Sequence, residues 1–310
     1  MSLRGVTYRL GQLHQRALFA ASGASNYARL RVQERNGHTP KVAAVIVGRN
    51  DDYMPDFAQR LHATVAWNIR HLVNEVIFVE WNPPADRPLL ASRLTSDFPA
   101  VSAYVVPPEI HQALCQNDRL ALMEYHAKNV GIRRARSQWI IATNADVAFG
   151  GDAIQTIRSS LRSTDMAWTA ERVDINWEMW REREIGLRDC LAYKRIIPYI
   201  EHGTGDFLLA SRELWHRVRG YDENLFKHRI GCDVRGAGQM LAHGASIHKI
   251  GSILHLAHPT SCSEGVQPHH GELASLEGLP YENSPDWGLG KCSEVPLGER
   301  IWRLEYTQTQ

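Results

Sequence analysis

Long apolar runs are missing from this sequence. None approaches the about 20 residues needed to cross a bilayer, and the longest, around Lys41–Val47 and Ile140–Ala142, have the length of strands. Residues Met1–Leu10 lack the apolar core of a secretion signal. Cysteine is sparse: Cys115, Cys190, Cys232, Cys262 and Cys292 are widely spaced and include no C-x-x-C pair. That usage argues against a disulfide framework or a zinc knuckle and fits a reducing compartment, so a cytoplasmic protein with no transmembrane segment is expected. Excess charge is also lacking. With 35 Lys+Arg against 34 Asp+Glu, the chain has neither the basic surface of a nucleic-acid binder nor the composition of an acidic disordered segment. What it does have is 310 residues at 44% hydrophobic content, ample for a buried core in one large or two small domains.

The first 36 residues carry Leu10, Leu13, Ala17 and Leu18 at helical spacing and read as a helical extension, closed by Asn36-Gly37 and Pro40. From Lys41 strands alternate with helix-length segments. The expected strands are Lys41–Val47, Glu75–Glu80, Val101–Val106 and Trp139–Thr143, with helices over Pro55–His71 and Leu120–Arg136. Further strands are expected at Met166–Val173, Asp206–Ala210 and around Ile253. A helix over Arg212–Arg219 has Ser211 as its N-cap and Gly220 as its stop. The tail from Gly265 is supplied with Gly, Pro and Ser and reads as a loop-rich wrap. This order indicates an α/β open sheet, in which ligands sit beyond the carboxyl ends of the strands. That rule singles out the loops Gly48–Asp52, Glu80–Asn82 and Asn144–Asp146.

Asp146 directly follows a buried strand, where a carboxylate can hold a divalent cation, or simply form a turn. Its neighbours in sequence order sharpen the choice. Val45–Asn50 and Val76–Glu80 come first, then Ala127–Gly131 (AKNVG) and Asn144-Ala145-Asp146. Gly205–Glu223, ending in GYDE, and Cys232-Asp233 follow. This ordered set, from Lys41 to Ser261, resembles the GT-A fold glycosyltransferases, especially the large family-2-like group. The resemblance implies a GT-A type Rossmann-like open mixed sheet flanked by helices, with an N-terminal helical extension and a loop-rich C-terminal tail. The boundaries it implies are 1–36 for the extension, 37–264 for the transferase domain and 265–310 for the tail. Residues 37–150 would form the nucleotide-binding half and 151–264 the acceptor half.

The implied activity is transfer of a sugar from a nucleotide-diphosphate sugar, a UDP-sugar first, to an acceptor hydroxyl with inversion. The acceptor would be a glycan, a lipid-linked sugar or a small molecule. Asp233 would be the general base, taking the acceptor proton; the alternative for it is an N-cap of a helix starting near Val234. Val47, Gly48, Asn50, Asp51, Glu80, Asn82, Lys128, Asn129, Asn144, Ala145 and Asp206 would contact the nucleotide sugar. Asp146, with His255 and His258 after the strand around Ile253, would hold Mn2+ or Mg2+. Two positions depart from the family pattern: Asn144 replaces the first Asp of D-x-D, which should weaken metal affinity, and Cys232 replaces the Glu of an E-D pair. These departures keep a second reading open, a transferase-like nucleotide- or glycan-binding protein with impaired catalysis. A nucleotidyltransferase is a third, but Gly48-Arg49-Asn50 is not the Gly-rich phosphate loop it needs. Trp177 and Trp180 stand where such enzymes bind acceptors, to stack on sugar rings or to pack internally.

Overall fold

The computed structural model describes residues 40–51, 53–161, 163–182, 195–196, 205–258 and 272–307. The helix expected within the first 36 residues lies outside them. The first half of the chain runs β1 (Val42–Gly48), α1 (Phe57–His71), β2 (Glu75–Trp81), α2 (Leu90–Asp97) and β3 (Val101–Val106). It continues through α3 (Pro108–Leu114), α4 (Glu124–Arg134), β4 (Trp139–Asn144), β5 (Val147–Phe149) and α5 (Gly151–Ser160). The second half begins with β6 (Met166–Asn176), α6 (Trp177–Glu182), β7 (Arg195–Ile196), β8 (Phe207–Ser211) and α7 (Arg212–Val218). It ends with β9 (His228–Ile230), α8 (Cys232–Ala242), β10 (Ser246–Ala257), β11 (Glu272–Leu273), β12 (Cys292–Gly298) and β13 (Ile301–Tyr306).

One mixed sheet organises the described residues, in the order β12-β13-β3-β2-β1-β4-β8-β6-β10-β5, with β7 beside β6. The centre is parallel, β1 lying between β2 and β4. All seven residues of β1 are buried because helices cover both of its faces. Val42, Ala44 and Ile46 pack with Phe57, Leu61 and Val65 of α1 and with Ile154 and Ile157 of α5. Ala43, Val45 and Val47 face the opposite layer, where Val130 of α4, Trp215 of α7 and Met240 of α8 lie. Gly131 explains the glycine of the AKNVG stretch. A β-carbon there would sit 2.4 Å from a Val45 methyl, so α4 can lie this close to β1 only without a side chain.

The mixed part of the sheet decides where the ends fall. β8 is antiparallel to both β4 and β6, and β10 is parallel to β6. The carboxyl ends of β1, β2, β4, β6 and β10 therefore share one edge with the amino end of β8.

Several expectations shift. The helix expected over Leu120–Arg136 is shorter and runs Glu124–Arg134, because Leu120–Met123 have no regular structure. The strand starting at Met166 runs on to Asn176, and Trp177 then opens a short helix. Ser211 does cap its helix, its Oγ accepting the Leu214 N–H at 3.0 Å. Asp233 is not an N-cap: Gly231, at φ 77°, takes that place, and Asp233 lies in the first turn of α8. Within the expected loop-rich tail, β12 and β13 form a hairpin that joins the main sheet, Ile301 pairing with Ala103 of β3. Pro296 sits in β12, the outermost strand, where a sheet tolerates proline.

Candidate active site

Strand register brings the potential metal ligands together. His255 on β10 lies opposite Val147 of β5 and opposite Asp174 of β6. The Leu256 N–H donates to the Asp146 carbonyl at 2.9 Å, which fixes the β4–β5 turn against β10. His258 Nε2 stands 2.7 Å from Asp146 Oδ2, and His255 Nε2 stands 3.2 Å from the same oxygen. One ligand-capable atom from each of the three lies within 4.8 Å of the other two. Asp146 and His255 are buried, at 5% and 3% exposure. Burial would raise the Asp146 pKa, but hydrogen bonds and charge from both histidines hold it well below the carboxylate range. Burial likewise opposes the charged form of His255, yet its bonds to Asp146 and Asp174 lift it to about 9. A carboxylate that stays ionised in a buried place, faced by two imidazoles, fits a divalent transition ion in donor type and number.

A hydrogen-bonded chain runs from this cluster to the ends of β4 and β8. His255 Nδ1 lies 2.8 Å from Asp174 Oδ1. Arg172 Nε donates to the same oxygen at 2.8 Å, and its other nitrogens reach Asp206 Oδ2 at 3.1 Å and His255 Nδ1 at 2.8 Å. Asp206 Oδ1 accepts from Asn144 Nδ2 at 2.8 Å. Asn144 Oδ1 is buried and has no hydrogen-bond partner among the described residues. The departure from D-x-D thus has a local reason: a carboxylate at 144 would face that of Asp206, whereas the amide bonds to it. Sequence reasoning missed Arg172 and Asp174. The available signal was opposite charges at i and i+2, hence on one face, within an apolar strand.

Asp233 belongs to a second group of residues, with Tyr125, Lys128 and Gly205. Its carboxylate is 3.7 Å from where a Gly205 β-carbon would stand, and the Tyr125 hydroxyl is 2.6 Å from that point, so residue 205 has no room for a side chain. Burial raises the Asp233 pKa, against the lowering by the Val234 N–H and by Lys128. Lys128 is fully buried. Its ammonium donates to Glu124 Oε1 and to the Gly205 carbonyl, both at 2.6 Å. Tyr53, after β1, packs against Phe57 and lies under the Arg49 guanidinium. Its hydroxyl is pushed above the ordinary range first by desolvation and then by the Asp146 charge, while the Arg49 guanidinium opposes the rise.

No protein-family model matches the sequence, and no curated protein does. Solved structures do. A structure of GalNAc-T7 with UDP, GalNAc and Mn2+ superposes over 72% of this chain at a TM-score of 0.51 and 12% identity. The chain has the GT-A fold. It spans 45% of the length of that structure. A mannosyltransferase, PcManGT from Pyrobaculum calidifontis, in complex with GDP-Man and Mn2+, aligns over 81% of this chain and 68% of its own at 15% identity and a TM-score of 0.48.

On the GT-A sheet the remaining expected residues divide into those at the ligand edge and those tied into the scaffold. Val47 and Gly48 end β1, beside Asn144 on one side and Glu80 on the other. Asp51 pairs with Arg49 at 3.2 Å, and the Arg49 guanidinium lies 4.2 Å from the Tyr53 ring centre. Asn50 donates from Nδ2 to the Pro88 carbonyl at 3.0 Å. Asn82 adopts φ 52° and donates to the Ala121 carbonyl at 3.3 Å. The Ala145 carbonyl accepts from the Thr64 hydroxyl at 2.6 Å, holding the β4–β5 turn to α1. Both Glu80 oxygens accept backbone N–H groups of α2, Leu90 at 3.0 Å and Ala91 at 2.9 Å. Asn129 binds the GYDE turn: it donates to the Tyr221 carbonyl and Glu223, and accepts the Tyr221 N–H at 2.7 Å. Trp177 and Trp180 are buried, the latter 4.9 Å from the Trp67 ring, so their indoles pack internally.

Proposed function

We propose that the protein is a glycosyltransferase that moves a sugar from a nucleotide-diphosphate sugar, a UDP-sugar, to an acceptor hydroxyl, with inversion and a divalent metal. The observation that carries this reading is the convergence of Asp146, His255 and His258 at the carboxyl edge of a GT-A sheet. Mn2+ suits the mixed carboxylate and imidazole set better than Mg2+, which prefers oxygen ligands. The GalNAc-T7 structure that shares this fold was solved with UDP and Mn2+. A bound cation would offset the charge that develops on the leaving diphosphate.

The chain's own residues supply the rest. Asp233 accepts the proton of the acceptor hydroxyl as that oxygen attacks the anomeric carbon from the face opposite the diphosphate. Its raised pKa makes it a better base than an exposed carboxylate. Lys128 holds the Gly205 carbonyl, so the backbone beside Asp233 keeps its position. Asn144, its amide turned by Asp206, keeps a free acceptor oxygen for a donor hydroxyl. Residues 37–150 would carry the nucleotide and 151–264 the acceptor, and the unpaired thiols of Cys115, Cys232 and Cys292 suit the cytoplasm.

Thermal-shift titration with UDP, GDP and CDP, each with and without Mn2+, tests this proposal. A metal-dependent rise in Tm with UDP is expected, by mass action on the folded state. It should disappear in Asp146→Ala. A shift with no nucleotide would overturn the reading. Binding of UDP without any sugar transfer would assign the protein to the impaired class suggested by Asn144 and Cys232.

A further inference from the structure

His255 Nδ1 lies at 2.8 Å from two partners of opposite kind, the Asp174 carboxylate, which can only accept, and an Arg172 nitrogen, which can only donate. An imidazole nitrogen offers one in-plane site. Either it carries hydrogen and donates to Asp174, or it carries a lone pair and accepts from Arg172. The two choices fix opposite states of Nε2, the atom that faces Asp146. With hydrogen on Nδ1, Nε2 of the neutral ring has a lone pair and can bind a cation. With Nδ1 bare, Nε2 is the N–H, and its hydrogen points at Asp146 Oδ2, 3.2 Å away.

We infer that Asp174 is a positioning residue of the metal site: by accepting the Nδ1 hydrogen of His255 it turns the Nε2 lone pair toward the point shared with Asp146 and His258, and Arg172 holds Asp174 for that task. The inference rests on the metal reading proposed above. Arg172 is suited to the role because Asp174 and Asp206 both accept from it, anchoring its guanidinium between β6 and β8. Register supports the same assignment, since Asp174 and His255 are direct partners on adjacent parallel strands. Carboxylates behind metal-bound histidines fix ring orientation and raise ligand basicity, and their loss costs about 10–100-fold in metal affinity.

Calorimetric titration of the full chain with Mn2+ alone is the test. Asp174→Ala should weaken binding by about 10–100-fold, and Asp174→Asn, which keeps an acceptor without the charge, should fall between it and the wild type. An Asp174→Ala protein that binds Mn2+ as tightly as the wild type, while Asp146→Ala does not bind, overturns the inference. If Asp146→Ala itself binds as the wild type does, the metal reading fails instead. Nitrogen-15 NMR of the wild-type chain loaded with Zn2+, with the His255 signal assigned through His255→Gln, gives a readout independent of how the Asp174 variants fold. Hydrogen on Nδ1 is the expected tautomer. Hydrogen on Nε2 in the loaded protein refutes the proposal.

Discussion

Glu80 offers the most direct check on how burial and hydrogen bonding compete in this protein. It lies next to the last residue of β2 among buried residues, has no exposed surface, and each of its oxygens accepts one N–H at the start of α2. Burial raises its pKa from 4.5 to about 7, and the two N–H groups only moderate the rise. In the unfolded chain the group ionises near 4.5, so between these values the native state holds a proton that the unfolded state has lost. Stability from this residue is therefore fully present below pH 4.5, declines as pH rises, and levels off above about 7. At 1.36 kcal/mol per pH unit the decline is about 3 kcal/mol. Glu80→Gln is neutral throughout and close in shape to the protonated acid, so it lacks this slope. Urea unfolding of both proteins from pH 5 to pH 8 isolates the effect, since every other group cancels in the difference. The wild-type advantage should shrink by a large part of those about 3 kcal/mol over that range. A difference that stays flat, or one that grows with pH, would mean that the α2 N–H groups outweigh burial, and the reasoning would be wrong.

Other consequences are simpler to test. Asp233→Asn should reduce sugar transfer by about 10²–10⁴-fold while leaving UDP binding measured by thermal shift unchanged; full transfer rate in this variant would remove Asp233 as the base. Gly131→Ala should destabilise the fold by about 1–3 kcal/mol in chemical denaturation, because its methyl meets Val45 at 2.4 Å. A change within about 0.5 kcal/mol would show that α4 can move off the sheet at little cost.

The central sheet was legible because β1, β2 and β4 are continuous apolar runs, which is what strands covered on both faces require. Asp146, His255 and His258 were legible as residues, and the structure brings the three together. Their company was not. Arg172 and Asp174 reach from β6 to Asp206 before β8 and to His255 on β10, and no local pattern encodes which strands become neighbours. Glu80 and Asn129 show the converse limit. Their side chains bind backbone of this same protein, a use that a motif cannot distinguish from contact with a ligand. The hairpin β12–β13 was missed because turn residues in its surroundings masked two short strands, one of them containing a proline.

That hairpin has a consequence for how the chain is made. Until residues 301–306 leave the ribosome, β3 is the border of a hydrophobic parallel sheet, its outward hydrogen-bonding groups unmet. The last part of the described chain to be synthesised covers that border and replaces it with a strand that Pro296 makes a poor template for pairing. A nascent or truncated chain ending before Cys292 would carry Asp146, His255 and His258 and still be prone to stick to its own copies.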